Sequence, residues 1–338
     1  MIRVAIIGYG LAGRVFHGPL VSADPSYAVR GIVTANPERA AAAASRHPDA
    51  RILSGPEQVL SGDFDLVVVA APTPSHVELA TMTVGAGLPT VVDKPLAVRA
   101  ADAERLITLA ERGGVPLTVF QNRRWDGDFR TVRRLVTEGL LGDVWRFESR
   151  FEWLSARPRP AWKVGTAGQD GGGVAYDLGA HLVDQAIQLF GPVKEVYGEL
   201  DRHRENAVND DDSFIALTHE SGVRSHLGMS SLVAQRGFRF RVLGSASAYG
   251  KWGLDPQESQ LASGMSPLDD AFGLEPAQAY GILGRDGEGS PLPTERGAYR
   301  AFYAQLAEAL AGGGPVPVDP RDALAALRII EDLHERHG

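Results

Sequence analysis

The first thirteen residues, MIRVAIIGYGLAG, constrain the fold more than any other stretch of the chain. Ile2 to Ile7 is apolar apart from Arg3 and reads as a strand buried on both faces. Gly8-Tyr9-Gly10-Leu11-Ala12-Gly13 follows at once, a G-x-G-x-x-G placed where a first strand turns into a first helix. The first glycine allows the tight turn, the second lets a pyrophosphate approach the backbone, and the third lets helix and strand pack closely. Phosphates held there meet free N–H groups and the positive end of a helix dipole. A dinucleotide site is the expectation; the alternative is a tight turn with no ligand.

The residues after the glycines continue an alternation of strand and helix. A first helix is expected over Arg14 to Ala23, with Pro19 breaking or kinking it. The second strand, Ala28 to Thr34, ends in Thr34-Ala35-Asn36-Pro37-Glu38-Arg39. Binders of NAD usually carry an acid about 20 residues beyond the glycines, on the ribose 2′-hydroxyl. No acid stands at this strand tip. Thr34 and Asn36 can hydrogen-bond a 2′-phosphate and Arg39 can neutralise it, so NADP is preferred over NAD, although Glu38 keeps NAD open. Asn36-Pro37 equally suits a cap on the next helix, 38–46. Phe64 to Ala71 is a third buried strand, followed by Pro72-Thr73-Pro74-Ser75-His76 and a helix, Val77 to Gly85. Ligands in a doubly wound sheet gather beyond the carboxyl ends of strands, which puts Thr73 and His76 near the cofactor. His76 equally fits a structural hydrogen bond in the first helical turn. A short strand runs from Pro89 into Asp93-Lys94-Pro95, then a helix over Ala100–Arg112 and a strand over Pro116–Phe120. This alternation describes a doubly wound parallel α/β domain over residues 1–121.

Beyond Gln121 the rhythm changes. Asn122-Arg123-Arg124-Trp125-Asp126 is a dense polar knot, followed by a helix over Phe129–Glu138. Val144 to Trp153 alternates with period two, as a half-buried strand does. Further strands are expected over Lys194–Leu200, Phe214–Thr218, Val223–Leu232 and Phe238–Leu243, with a helix over Val174–Phe190 between them. The tight turn at Glu220-Ser221-Gly222 favours a large, mostly antiparallel sheet, whose uncovered face would suit a homodimer or homotetramer contact. Lys251 to Gly297, rich in Gly, Pro and Ser, is expected to be an ordered loop. Helices near Ala298–Ala311 and Arg321–His337 close the chain. Residues 122–338 are therefore expected to form an α+β substrate-binding domain, its terminal helices packing back on the first. With 338 residues, two domains are also the prior from length.

Composition narrows the partners. A net charge of −8 and the lack of a basic run of five or more argue against a nucleic-acid coat. The chain has no cysteine, which excludes disulfides and thiolate metal sites, and no metal site is expected. No signal-peptide pattern precedes the first strand, and no apolar run approaches the ~20 residues of a membrane helix. A soluble cytoplasmic protein with no membrane partner is expected.

Three pieces carry chemistry. Lys94 follows a strand in Asp93-Lys94-Pro95; Gly171-Gly172-Gly173 precedes a helix; that helix carries Asp177 and His181. The i,i+4 spacing puts the last two on one helix face, and the glycines let the backbone pass close to a ligand. The order G-x-G-x-x-G, D-K-P, G-G-G-x-x-x-D-x-x-x-H resembles the glucose–fructose oxidoreductase/inositol dehydrogenase/rhizopine catabolism (Gfo/Idh/MocA) family over essentially the whole chain. Phe16-His17-Gly18-Pro19, Gln121 to Asp126, Asp177 to His181 and Tyr249 to Glu258 resemble the branch of that family that contains NADP-dependent scyllo-inositol 2-dehydrogenases. Asp93 replaces the commoner glutamate, which keeps the charge and shortens the arm, and Pro74 stands where relatives often have a small polar residue.

The resemblance implies a Rossmann domain joined to an α+β domain. It implies an NAD(P)-dependent dehydrogenase acting on a secondary alcohol of a cyclic polyol or sugar. Gly8, Tyr9, Gly10, Leu11, Ala12, Gly13, Thr34, Asn36, Arg39, Ala71, Pro72, Thr73, His76, Asp93 and Lys94 would then face the cofactor. Lys94, Asp177 and His181 would be catalytic, and Asn122, Arg124, Asp126 and Trp162 would line the substrate. The chemistry agrees: an imidazole, ordinarily with a pKa of about 6.5, exchanges protons near neutral pH, and an ammonium stabilises a developing alkoxide. Trp153, Trp162 and Lys163 lie before the glycines, where they could cover the site. Asn209 to Asp212 lacks the glycine and distal glutamate of a calcium loop and reads as a turn before the strand at Phe214; relatives imply that one of its aspartates approaches the substrate from the sheet. Two rival functions stay open: NAD-dependent glycoside cleavage through transient oxidation, and a non-catalytic dinucleotide-sensing regulator.

Overall fold

In the computed structural model, which describes residues 1–155 and 165–337, the opening apolar run is strand β1 (Ile2–Ile7) in the middle of a parallel sheet. The sheet adds β2 (Tyr27–Val33), β3 (Arg51–Leu53), β4 (Leu66–Val69), β5 (Thr90–Asp93) and β6 (Leu117–Phe120), in the order β3-β2-β1-β4-β5-β6. Every pairing is parallel. Val4, Ala5, Ile6, Leu66, Val67 and Val68 are fully buried, as strands covered on both faces must be. Arg3, the one charge in β1, is accounted for by Asp65 at the entry to β4: its Nε and backbone N donate to Asp65 Oδ2 at 2.9 and 2.8 Å. That guanidinium holds the Asp65 carboxyl down at about 2. The strand order reverses between β1 and β4, which places the ligand crevice at their carboxyl ends.

The first helix departs from the expected Arg14–Ala23. Ala12–His17 is a π-helical turn, followed by a short α1 (Gly18–Ser22). The irregularity expected around Pro19 is present: the path changes from a π turn to α turns at Gly18, directly before the proline. Then come α2 (Pro37–Arg46), α3 (His76–Gly85) and α4 (Ala100–Gly113).

The later part of the chain begins with α5 (Gly127–Thr137) and β7 (Val144–Glu152). A second π turn, Ala175–Gly179, leads into α6 (Ala180–Phe190). Strands β8 (Val193–Asp201), β9 (Asp212–His219), β10 (Arg224–Ser230), β11 (Phe240–Gly244) and β12 (Ala248–Lys251) follow. The segment expected to be loop, 251–297, instead contains α7 (Gln257–Ala262), β13 (Gly281–Gly284) and β14 (Ser290–Leu292). Its strands are short and glycine-rich and carry Pro291, which an edge strand tolerates and a central one does not. The sheet order is β14-β13-β12-β11-β7-β10-β9-β8; β7 and β10 run parallel and the other neighbours antiparallel. The register carries Leu217, Ser225, Phe147, Val242 and Tyr249 across the sheet as one buried row. The adjoining row, Ala216, His226, Glu148, Arg241 and Gly250, is not buried. One face is thus core and the other open, the usual antiparallel pattern. The chain closes with α8 (Arg300–Leu310) and α9 (Pro320–His337).

These elements divide into two units. The first is Met1–Asn122 with Gln257–Phe272 and Ala298–Leu324; the second is Arg123–Pro256 with Gly273–Gly297 and Ala325–Gly338. In the first, α8 supplies an aromatic cluster: the Phe302 ring meets Phe120 edge-on at 4.9 Å, and Tyr303 meets Tyr27 at 5.6 Å. Among the described residues no helix is long and apolar enough to cross a membrane.

Candidate active site

In the first unit the predicted cofactor residues follow β1, β2, β4 and β5 at the carboxyl edge of the parallel sheet, on both sides of the reversal in strand order. Gly8 has φ +99°, and a Cβ on it would stand 2.5 Å from the Ala70 carbonyl oxygen; one on Gly13 would stand 2.1 Å from the Gly8 oxygen. Those two glycines are required by packing between β1, β4 and the first helical turn. Gly10 differs: the nearest atom to its would-be Cβ is Arg39 Nη1, at 3.8 Å. Space is therefore left over the second glycine, where the motif needs a phosphate to approach, and a guanidinium stands beside it. Residues 71–73, Asp93 and Lys94 follow β4 and β5 at the same carboxyl edge of the sheet. This donor set fits a dinucleotide: backbone N–H groups and open space at the glycines, and a cation in the first turn of α2, after β2.

Thr34 and Asn36 have local duties as well. Asn36 Oδ1 accepts from the Arg39 N–H at 2.9 Å, capping α2, and Thr34 Oγ1 accepts from the Asn36 N–H at 3.4 Å. Asn36 is thus the helix cap that one sequence reading allowed, and its cap fixes the backbone of Arg39. His76 is buried; its Nδ1 and Nε2 lie 2.8 Å from the carbonyl oxygens of Pro95 and Ala71. It ties the loop after β4 to the Asp93-Lys94-Pro95 turn, so the structural alternative for His76 is the one its side chain adopts. Asp93 Oδ1 accepts the Lys94 backbone N–H at 2.9 Å, and Lys94 is half-buried at the end of β5. In the sequence His17 stands out only through the Phe16-His17-Gly18-Pro19 motif. It is fully buried, with Nδ1 2.7 Å from the Tyr303 hydroxyl and its ring 4.4 Å from that of Phe120. Burial, partly opposed by the Asp93 charge, pushes its imidazole down to about 4.

In the second unit, Asp177 lies in the π turn and His181 in the first turn of α6. A π turn is wider than an α turn and is frequent at functional sites. Asp177 is half-buried and His181 buried, one turn apart. The His181 ring stands edge-on to Phe151 at 6.2 Å. Phe151 is itself held by cations: the Arg239 guanidinium carbon is 4.1 Å from its ring centre and that of Arg123 is 5.4 Å away. Arg239 is buried and donates to Ser149 Oγ and to Gln185 Oε1, the latter at 2.9 Å. The imidazole therefore has a stiff aromatic wall.

Two of the three glycines before this helix are required by packing. A Cβ on Gly172 would stand 2.0 Å from the Thr166 oxygen, and one on Gly173 (φ +94°) would stand 1.7 Å from Asp210 Oδ1. The polar knot is likewise internal. Arg124 is buried and its Nε donates to Asp184 Oδ2 at 2.8 Å, and Arg123 Nη1 lies 3.6 Å from Asp126 Oδ2. Gln185 Nε2 donates to the Arg123 carbonyl at 2.9 Å. The charged ends of Arg124 and Asp126, expected at a polyol rim, thus pair with the buried Asp184 and the half-buried Arg123. Asn122, at the end of the first unit, is buried too. Trp162 and Lys163 lie outside the described residues. Asp184 was missed by sequence reasoning, although its i,i+3 spacing from His181 puts it on the same helix face.

Comparison with known proteins agrees with this geometry. Residues 2–121 match the model of the oxidoreductase family with an NAD-binding Rossmann fold, and residues 129–249 match the GFO/IDH/MocA C-terminal domain. The chain is 34% identical over 342 residues to scyllo-inositol 2-dehydrogenase (NADP(+)) IolW of Bacillus subtilis, covering 99% of this chain and 93% of that one. It is 32% identical over 226 residues to D-apiose dehydrogenase of Paraburkholderia graminis, covering 65% of this chain and 58% of that one. Among solved structures, the oxidoreductase yvaA of Bacillus subtilis superposes with a TM-score of 0.92 at 32% identity, over 99% of this chain and 95% of that one. With a six-stranded parallel sheet in the Rossmann order, an eight-stranded mostly antiparallel sheet, and relatives of this identity along nearly all of its length, the chain belongs to the Gfo/Idh/MocA family of NAD(P)-binding oxidoreductases.

Proposed function

We propose that this protein is an NADP-preferring dehydrogenase that oxidises a secondary alcohol of a cyclic polyol or sugar, with Lys94, Asp177 and His181 as its catalytic residues. The observation that carries the reading is the Asp177/His181 pair on the π turn and α6, with His181 set against Phe151. The name of the Bacillus subtilis relative supports both an inositol-like substrate and NADP. The placement of Arg39 beside Gly10 supports the cofactor independently.

Oxidising a secondary alcohol removes a proton from oxygen and a hydride from carbon. A ring nitrogen of His181 takes the hydroxyl proton. Lys94 Nζ donates a hydrogen bond to the reacting oxygen and stabilises its developing negative charge. The Asp177 carboxylate accepts from a substrate hydroxyl or holds the imidazolium that forms. Bound NADP supplies the hydride acceptor. Asn36 and Asp93 act one step back, the first by fixing Arg39 and the second by fixing the Lys94 backbone. We assign the open face of the eight-stranded sheet, where Tyr197 is exposed, to a homodimer or homotetramer contact.

The test is a panel of inositols, aldoses and their glycosides with NADP and NAD, followed by absorbance of the reduced nicotinamide. Turnover of a polyol or sugar with free NADP is the expected result. Sugar release from a glycoside without net reduction would replace this reading with transient-oxidation glycoside cleavage. Cofactor binding without turnover of any compound would replace it with a sensor.

A further inference from the structure

Asp210 is buried just before β9, and its carboxylate reaches the start of the segment that carries Asp177 and His181. Oδ2 accepts from the Ala175 N–H at 2.7 Å and from the Ser213 hydroxyl at 2.8 Å. The Asp210 backbone carbonyl accepts from the Val174 N–H at 3.1 Å. Two orphan donors of a helix start are thereby satisfied from outside the helix, by a group whose negative charge suits the helix dipole. Oδ1 has no hydrogen-bond partner among the described residues; it faces His334 Nε2, equally without one, at 3.8 Å.

His334 is fixed in that place. Its ring stacks on Tyr176 at 4.9 Å with the planes 20° apart, and its edge lies 2.9 Å from where a Gly168 Cβ would stand. Gly173 completes the fit, since a Cβ there would overlap Oδ1. The charged neighbours are few. Arg202 and His337 oppose a proton on His334 and Asp210 favours one. Burial raises the Asp210 carboxyl above its ordinary value and lowers the His334 imidazole, and each effect is partly offset by the partner's charge.

We propose that Asp210 is a positioning residue for Asp177 and His181, anchoring the first turn of their helix, and that His334 sets the charge Asp210 presents to that turn. The proposal rests on the assignment of Asp177 and His181 to proton chemistry. It explains why an acid, an imidazole and a glycine from three separate parts of the sequence meet beneath this helix start.

The experiment compares the full-length wild type with Asp210→Asn and His334→Gln by hydrogen–deuterium exchange and by the pH profile of kcat. In Asp210→Asn, amides of residues 174–177 should exchange about tenfold faster, the loss expected for one weakened buried hydrogen bond. Its kcat should fall about tenfold, with KM within about twofold. In His334→Gln, which keeps a hydrogen-bonding group, exchange should change little, and the ionisation contributed by the pair should shift in the kcat–pH profile. A purely structural role would lower stability and leave both profiles superimposed on the wild type. Unchanged exchange in Asp210→Asn overturns the anchor. Faster exchange with unchanged kcat and pH profile overturns the positioning role. If the wild type oxidises no polyol or sugar, the catalytic assignment fails separately, and the exchange result still decides whether Asp210 anchors the helix. If Asp210→Asn does not fold, an unaltered pH profile in His334→Gln overturns the proposal.

Discussion

Acidification should weaken the fold through His17, and the size of the effect follows from its surroundings. The imidazole is fully buried, with Nδ1 against the Tyr303 hydroxyl at 2.7 Å, and Nε2 has no hydrogen-bond partner among the described residues. Burial lowers its pKa to about 4, with Asp93 pulling the other way and His76 adding to the decrease. In the unfolded chain the same group has a pKa of about 6.5. Below that value the unfolded state binds the proton first, so this contribution to stability is complete above pH 6.5 and is lost as pH falls toward 4. Linkage gives a loss of about 2 kcal/mol between pH 7 and pH 5, and about 3 kcal/mol over the whole window. The assay is urea unfolding followed by circular dichroism at pH 7 and pH 5, for wild type and His17→Gln. Other histidines titrate in both proteins and cancel in the difference. The variant should be less stable at pH 7, but its stability should fall by about 2 kcal/mol less between the two pH values. Equal pH dependence in the two proteins would refute the argument.

Two substitutions test the cofactor and glycine assignments. Arg39→Ala should weaken NADP binding about tenfold, or 1.4 kcal/mol, and leave NAD binding nearly unchanged, measured by fluorescence titration; equal losses for both would remove Arg39 from the 2′-phosphate. Gly173→Ala should lower unfolding stability by about 2 kcal/mol or more, because a Cβ there meets Asp210 on a backbone held at positive φ. A stable Gly173→Ala protein with a raised substrate KM would instead restore the reading of that glycine as a ligand approach.

The strands of the parallel sheet were legible because burial on both faces leaves continuous apolar runs such as Leu66–Val69. β3 was not, since Arg51–Leu53 is three residues long and largely exposed at the sheet edge. β13 and β14 were missed for a related reason: Gly281, Gly284 and Pro291 erase any period. At the site, the glycine loop and the Asp177/His181 spacing could be read because each motif is local. The pairing of Arg124 with Asp184, and of Asp210 with His334, could not, because periodicity reports which face a residue occupies and not which distant side chain it meets. The triple glycine shows the limit most plainly. Its presence was legible, but whether it made room for a ligand or for a buried carboxylate depended on Asp210, on another element.

Hydride removal from a secondary alcohol assisted by Lys94 is tested most directly by isotope transfer. The best substrate of the panel, deuterated at its carbinol carbons, is incubated with NADP and enzyme, and the reduced cofactor is weighed by mass spectrometry. Deuterium should appear in the reduced nicotinamide, and kcat should be about 10² to 10³ lower in Lys94→Ala, the usual cost of losing one donor to a developing oxyanion. Reduced cofactor without deuterium, or wild-type turnover in Lys94→Ala, would contradict hydride removal assisted by Lys94.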